Sequence, residues 1–375
     1  MRIPVLIMSI LLIASSLYAA TPHYAGTTAF DFLKFVPSAR ATGIGSSYAA
    51  LTDDPHSLFW NPAALAGISR PVIAVDYMSL FEEMKMITLG SSIPLHRTGT
   101  IGFGLLYLKS GSIPITTTSP IPVDTTSLSG FVFTGGYGIT GKNLRNSAAL
   151  NLPHALDTLH LGALIKFFGE NMYNNSRSGI AIDIGFSYSI NNNTTLAFTV
   201  QNLGSSSKLI DYKDSVPTLI NFGGRYDMPF TKNNPDTGIS LFAGMNKKLG
   251  EPFQAQTGFE TFINQMFFIR FGYTLQHSTT RFTAGIGVLY ENINFDYAYQ
   301  PYSDLGRNHI ISAGYRIQLS KKQKLYNTIE SFRDDIHENN DDNEASSSTD
   351  ESEDTDKKQL IQEIKELGDE IDNSR

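Results

Sequence analysis

The chain has 375 residues, of which 41% are hydrophobic and only 17% are charged, and it is rich in glycine (31), phenylalanine (24) and tyrosine (17). In ordinary soluble domains about a quarter of all residues are charged. A barrel in lipid, by contrast, needs an apolar side chain only at every second strand position. The absence of cysteine excludes disulfides, thiolate metal sites and cysteine nucleophiles. The sequence contains no run of basic residues that would indicate a nucleic-acid partner.

The N-terminus has the three parts of a secretory signal peptide. Arg2 supplies a positive start, residues 3–14 are apolar, and small residues lead to a cleavage site after Ala19 or Ala20. The apolar run is shorter than the roughly 20 residues of a spanning helix, and no later stretch is long enough. We therefore predict export after cleavage of residues 1–20. A membrane location would then require a closed barrel, because lipid satisfies no backbone hydrogen bonds.

Residues 21–69 are irregular, and residues 70–319 alternate apolar and polar side chains. Ile180, Ile182 and Ile184 share one strand face, and Ala181 and Asp183 the other. The pattern predicts an all-β fold, an antiparallel transmembrane barrel of about fourteen strands. The strands are expected to begin near residues 71, 84, 100, 129, 158, 179, 194, 217, 237, 253, 265, 280, 292 and 308. A soluble β-sandwich alternates equally well. The signal peptide, aromatic strand ends and glycine or serine on the polar face favour the membrane barrel.

The predicted connections differ in length on the two sides of the barrel. Those at 110–127 and 204–215 are long, and those near 191–193, 264 and 292 are short. Long outer loops and short periplasmic turns are typical of outer-membrane barrels, and an even strand number places both chain ends in the periplasm. The connection at 140–157 is long on the short-turn side, which indicates a miscounted strand or an inserted turn.

Charged residues on the polar strand faces are predicted to face the lumen. Adjacent strands bring Lys166 near Asp183, and Arg281 near Asp296 and Arg316, if the registers allow. Structural pairing across the lumen wall is one interpretation. The other is that the surplus of bases attracts a carboxylate head group. The lumen-facing candidates are Lys166, Asp183, Arg225, Glu260, Arg270, Arg281, Asp296 and Arg316.

Beyond residue 319 the chain becomes acidic, with 8 Lys and Arg against 17 Asp and Glu in residues 320–375. Residues 320–356 are predicted to be a disordered linker, because they cannot bury enough apolar surface to fold alone. Leu360, Ile364, Leu367 and Ile371 then share one face of a short amphipathic helix over 357–375. The tail is either a solvated spacer or a docking peptide for a periplasmic protein.

Two stretches resemble a known family. They are PSARATGIGSSYAALTDDPHSLFWNPA at 37–63 and FDYAYQPYSDLGRNH at 295–309, with QNLG at 201–204 and RFGY at 270–273 between them. The chain resembles the PorV/PorQ-like outer-membrane barrels, relatives of the FadL long-chain fatty-acid transporters that include an uncharacterised spirochaete branch. Ala64 replaces the usual glycine after Asn-Pro-Ala. The resemblance covers about 31–319 and leaves out the tail.

The resemblance implies a fourteen-strand barrel whose N-terminal segment, residues 21–69, folds inward as a plug, or hatch. A mobile plug and a static one both remain open. The plug-motif candidates are Arg40, Gly43, Gly45, Asp54, Asn61, Pro62 and Ala63.

The resemblance also implies one of two functions. The first is passage of hydrophobic small molecules such as long-chain fatty acids across the outer membrane. The second is service as a non-transport adaptor of a protein-secretion or assembly complex. The expected partners are outer-membrane lipid, a hydrophobic ligand and a periplasmic protein bound through the tail. No catalytic motif appears, so we expect neither an enzyme nor a cofactor or metal.

Overall fold

A computed structural model describes residues 28–35, 37–47, 49–52, 54, 56–95, 98–118, 121–148, 153–208, 215–228, 236–249, 251–275, 282–302 and 306–318. The predicted signal peptide, acidic linker and C-terminal helix lie outside these residues. Among the described residues, no helix combines the length and apolar character needed to span a membrane.

Fourteen antiparallel strands close into one barrel, which confirms the predicted fold class and strand number. Two further short strands, Ile113–Ile115 and Asp124–Thr126, form a separate two-stranded sheet. The strands are β1 (Val72–Ser79), β2 (Lys85–Leu95), β3 (Gly99–Lys109), β4 (Ile113–Ile115), β5 (Asp124–Thr126), β6 (Leu128–Thr140), β7 (Leu159–Met172), β8 (Asn175–Asn191), β9 (Thr194–Ser206), β10 (Leu219–Asp227), β11 (Thr237–Lys248), β12 (Phe253–Ile263), β13 (Phe267–Leu275), β14 (Phe282–Tyr290), β15 (Ile293–Pro301) and β16 (Arg307–Arg316).

The alternation of side chains explains the barrel. In β8, Ile180, Ile182 and Ile184 are 38% to 46% exposed, whereas Ala181 and Asp183 are buried. The apolar face therefore points outward and the small or polar face points into the lumen. An exposed apolar band that continues around the whole barrel is stable only against an apolar surrounding such as lipid.

Strand β8 begins earlier than predicted, at Asn175 instead of near residue 179. Its first residues, Asn175, Ser176 and Ser178, are polar on both faces, so they carry no alternation signal. They are held in the sheet by pairing with β7, where Met172 lies opposite Asn175. The backbone ladder extends the strand beyond the part that the apolar pattern marks.

The two ends of the barrel carry different connections. We call the end with the β3–β6 connection the upper end and the opposite end the lower end. The upper connection at 110–127, predicted as a loop, contains the β4–β5 hairpin. The lower connection at 140–157 contains the helix Gly141–Ala148 and the 3-10 helix His154–Leu156, so no strand was miscounted. The Thr140 hydroxyl accepts a hydrogen bond from the Asn143 amide at 3.1 Å and caps the helix start.

Residues 28–69, which we call the inner segment, pack against the lumen faces of the strands. The segment contains the helix Ala39–Gly43 and the 3-10 helices Asp31–Lys34, Ser57–Phe59 and Pro62–Gly67. Ala39–Gly43 contacts β13 to β16, and Pro62–Gly67 contacts β3 and β6 to β8 on the other side of the barrel. The hydrophobic core therefore forms between the inner segment and the wall.

Candidate functional site in the barrel lumen

Glycines in the wall bring the inner segment close to the strands. A Cβ atom at Gly272 would overlap the backbone of Gly45. Gly45 itself has a φ of +69°, and a Cβ there would lie 2.9 Å from the carbonyl oxygen of Thr257. Gly43 is similarly tight, with its Cβ position 3.2 Å from the Arg270 Cβ. Glycine is required here because of close backbone approach and, at Gly45, a left-handed backbone.

The Asn-Pro-Ala motif begins a 3-10 helix against the wall. The Asn61 side-chain oxygen accepts a hydrogen bond from the Ala63 amide at 3.0 Å, and its amide donates to the Ala49 carbonyl. Pro62 is the first helical residue, where its missing N–H costs nothing. All three motif residues are buried. Their observed role is to fold and seat the inner segment.

A buried ion network joins the inner segment to the wall. Arg40 pairs with Glu260 at 2.7 Å and with Asp54 at 3.2 Å. Arg270 pairs with Glu260 at 2.5 Å and with Asp296 at 2.6 Å. The two arginines thus share Glu260 of β12, and three carboxylates face two guanidinium groups.

His56 extends this network toward β1. Its Nδ1 lies 2.8 Å from a carboxylate oxygen of Asp76, which also accepts hydrogen bonds from the hydroxyls of Thr88 and Ser312. Burial alone would lower the pKa of His56, but Asp76, helped by Asp54 and Asp296, outweighs it and raises the pKa of His56 to about 9. A protonated His56 offsets part of the acidic excess around it.

A second buried cluster lies at a β-bulge between β8 and β9. Lys166 pairs with Asp183 at 2.7 Å and donates a hydrogen bond to the Asn202 side-chain oxygen at 2.9 Å. Asp183 also accepts the Asn202 backbone N–H at 2.7 Å. Asn202 has a φ of +59°, and the register shifts between Ile182 and Ile184. The cluster therefore satisfies the backbone groups that the bulge leaves unpaired.

The remaining predicted lumen charges lie apart from these two networks. Arg225 pairs with Asp227 at 2.9 Å near the lower end of β10. Asp296 lies opposite Ser312 in the β15–β16 register, so Arg316 is four residues further along β16 and does not meet it. Arg281 lies outside the described residues.

A cavity of about 760 Å³ occupies the upper part of the lumen. Its wall contains both apolar and charged side chains. The large apolar residues that line it are Phe30, Phe32, Phe35, Trp60, Met78, Phe81, Met84, Leu108, Leu128, Met172, Leu219, Phe222, Met245 and Tyr302. The charged ones are Asp31, Lys34, Glu170, Arg177, Lys248 and Glu251. The Nζ of Lys34 lies 3.0 Å from Glu251, and Arg177 lies 2.8 Å from Glu170.

None of the seven described lumen-facing candidates lines this cavity. The sequence interpretation instead missed Phe30, Phe32 and Phe35, which come from the inner segment. Phe30 packs edge-on against Phe168 of β7 at 4.8 Å, and the Arg177 guanidinium lies 4.9 Å from the Phe30 ring. Three phenylalanines within six residues of a segment otherwise rich in small residues are the signal that could have identified it.

No cluster of three or more His, Asp or Glu residues suited to a metal ion occurs in the part of the chain that the structure describes.

Solved structures of hydrocarbon channels resemble this barrel. The CymD monoaromatic hydrocarbon channel superposes with a TM-score of 0.52 at 11% identity, over 78% of this chain and all of that one. The Pseudomonas putida toluene transporter TodX gives 0.50 at 10% identity, over 74% and 97% of the two chains. The chain shares their fold. A Pseudomonas aeruginosa FadL homologue is also similar, with a TM-score of 0.45 at 12% identity, over 75% of this chain and 98% of that one.

At such low identity the likeness extends to the fold and no further. No family model and no curated protein sequence matches the chain. Membership of the PorV/PorQ-like group therefore stays a prediction.

Proposed function

We propose that this barrel lies in the outer membrane and passes hydrophobic small molecules through its lumen, with the upper cavity as the binding site. The observation that carries the proposal is the 760 Å³ cavity that is lined in part by the inner segment's phenylalanines. Its volume lies within the roughly 300–1,000 Å³ of small-molecule sites, and such sites are mostly apolar with a few placed polar groups.

The exterior of the barrel supports the membrane location. Large apolar side chains such as Phe103, Phe133 and Ile286 are more than half exposed on the outer face. Burying this band in lipid contributes about 25 cal/mol for every Å² of apolar surface removed from water. The fold shared with the CymD hydrocarbon channel and the TodX toluene transporter supports passage of hydrophobic molecules through the barrel.

The lining favours ligands with a large apolar part. Long-chain fatty acids are the substrate class that we propose, since Lys34, Arg177 and Lys248 lie in the wall where a carboxylate could be held. Each of these bases has a carboxylate neighbour, Glu251 or Glu170. A fatty-acid head group would have to compete with these pairs, so apolar contact supplies most of the affinity.

The test is uptake of a labelled long-chain fatty acid in a deletion strain that carries Leu108→Trp. Leu108 faces the cavity, so the larger ring fills it and lowers uptake relative to the wild type. Leu105→Trp, three residues away on β3, faces outward and leaves uptake unchanged. Heat-modifiable gel mobility checks that both variants fold.

Equal uptake by wild type and deletion strain would contradict fatty-acid passage. Uptake of a labelled monoaromatic hydrocarbon, measured in parallel, separates a wrong substrate from a wrong function. If both are unchanged and a secretion-complex protein co-purifies with the chain, the adaptor alternative replaces transport.

A further inference from the structure

The outward-facing charges of the barrel strands are distributed unequally between the two ends. Outward positions are those that alternate with the lumen-facing ones along each strand. Over the described strands these positions carry four basic residues and no acidic residue, and all four lie at the upper end. They are Lys85, Lys109, Lys247 and Arg307.

Lys85 and Lys109 lie on adjacent strands, and Arg307 lies on β16, two strands away from Lys85. Lys85 of β2 and Lys109 of β3 are direct cross-strand partners. Lys85 also lies opposite Ser79 of β1, and Ser79 lies opposite His309 of β16. Arg307 lies two residues above His309 on the same face. We call Ser79, Lys85, Lys109, Arg307 and His309 the basic row.

Aromatic side chains occupy the next outward row below. This row runs across neighbouring strands in the order Tyr297, Ile311, Tyr77, Ile87, Tyr107 and Phe131. Each of these residues lies two positions along its strand from a residue of the basic row or from a cross-strand partner of that row. Aromatic girdles mark the boundary between the hydrocarbon and head-group layers around membrane barrels. The basic row therefore lies at the level of the lipid head groups.

The two lysines form a like-charged cross-strand pair. Like charges that lie directly opposite each other destabilise an antiparallel pair. Both side chains are exposed, and neither has a carboxylate within 4.0 Å among the described residues. Glu82 and Glu83 are the nearest acids along the chain, and the Glu83 carboxylate lies beside Gly111 in the upper connection. Lys247 is different, because it contacts the Phe253 ring and the Glu251 carbonyl.

We propose that the basic row binds the phosphate of an anionic membrane lipid in the leaflet at the upper end. Lys85 and Lys109 contact the phosphate oxygens, and Arg307 and the Ser79 hydroxyl donate further hydrogen bonds from the same face. The acyl chains continue down the aromatic row and the apolar band. A bound phosphate converts the repulsion between the two lysines into a shared attraction.

This inference rests on the membrane part of the proposed function and is independent of transport. The full chain is reconstituted into nanodiscs of equal parts phosphatidylglycerol and phosphatidylcholine, and the lipids retained after detergent extraction are quantified by mass spectrometry. The wild type retains phosphatidylglycerol preferentially. Lys85→Gln and Lys109→Gln each reduce the preference about fivefold, since one base near the membrane surface contributes about 1 kcal/mol.

Two controls accompany the measurement. Lys142→Gln removes an exposed base from the helix at the lower end, outside the strands, and keeps the preference. Lys85→Arg keeps the charge and retains phosphatidylglycerol as the wild type does.

In pure phosphatidylcholine, Lys109→Gln is as stable as the wild type or more so, because the repulsion between Lys85 and Lys109 is relieved.

Equal retention of the two lipids by the wild type would overturn the inference, as would a Lys142→Gln loss as large as that of Lys109→Gln. Failure of the wild type to enter nanodiscs of either lipid would instead overturn the membrane location. Unchanged fatty-acid uptake affects neither result.

Discussion

His56 is a single residue whose protonation ties the inner segment to the wall. Its pKa is raised from 6.5 to about 9 by Asp76 and its acidic neighbours. A group whose pKa is higher in the folded protein stabilises the fold fully below its unfolded pKa and loses that contribution as pH rises through its folded pKa. The contribution of His56 is therefore complete below about pH 6.5 and disappears toward pH 9.

As the pH rises from 6.5 to 9, we expect the denaturation midpoint of the inner segment to decrease in the wild type. In His56→Gln we expect this pH dependence to be absent. Trp60, the one tryptophan of the chain, is buried in the inner segment and reports its unfolding by fluorescence. His154→Gln, an exposed histidine at the lower end, serves as the control and keeps the wild-type slope. The same slope in His56→Gln would contradict this role of His56.

Gly272 admits the inner segment because it has no side chain. Gly272→Ala places a methyl group against the Gly45 backbone, so we expect the segment to shift and the barrel to leak. The measurement is entry of a large antibiotic into cells, expected to rise several-fold. Gly135→Ala is the matched control and leaves entry unchanged, because its Cβ faces outward and the nearest atom, on Phe103, is 3.7 Å away. If neither variant changes entry, close packing at Gly272 does not seal the lumen.

At the scale of elements, the β8–β9 bulge depends on Asn202 for both backbone conformation and hydrogen bonding. Its side chain accepts from Lys166 and donates to the Pro217 carbonyl at 3.1 Å, while its φ is positive. Asn202→Gly keeps the backbone conformation and loses the side-chain bonds. Asn202→Ala loses both.

We expect both variants to lower the free energy of unfolding and Asn202→Ala to lower it by about 1 kcal/mol more, since a Cβ is strained in the left-handed region. Urea titration in lipid vesicles measures the difference. Equal losses would show that the hydrogen bonds alone account for the role of Asn202.

At the scale of the whole molecule, the charge is divided between the barrel and the tail. The net charge of −7 comes from the acidic residues beyond 319, because residues 1–319 carry slightly more Lys and Arg than Asp and Glu. The tail lies outside the described residues, and its role stays a prediction. We expect like charges to extend this segment and so to increase the reach of the predicted terminal helix toward a partner.

Deletion of residues 357–375 is expected to leave barrel assembly intact and to remove at most a periplasmic contact. Heat-modifiable mobility of the truncated chain measures assembly, and cross-linking from the tail identifies the contact. A truncation that blocks membrane insertion would place the tail within the folding unit. Deletion of residues 320–356 with the helix retained separates loss of reach from loss of the docking peptide.

The local alternation of apolar and polar residues was enough to predict the strands and their number. Alternation has a period of two and needs only neighbouring residues. Ten strands therefore begin within one residue of their predicted starts, namely β1, β2, β3, β6, β7, β9, β11, β12, β15 and β16. It failed where no alternation existed, as in the polar start of β8 and in the helix Gly141–Ala148. The plug-motif assignment stays a prediction, and in the fold Asn61 and Pro62 begin a 3-10 helix.

Which charges and which apolar residues meet depends on long-range packing in the folded chain. Arg270 joins Glu260 to Asp296 because strand register and closure bring β12, β13 and β15 together. Arg40, which lies 220 residues before Glu260 in the chain, binds that same glutamate. The cavity likewise combines phenylalanines near residue 30 with strand ends from the whole chain. Such contacts depend on the closed shape of the barrel, which no local window of sequence contains.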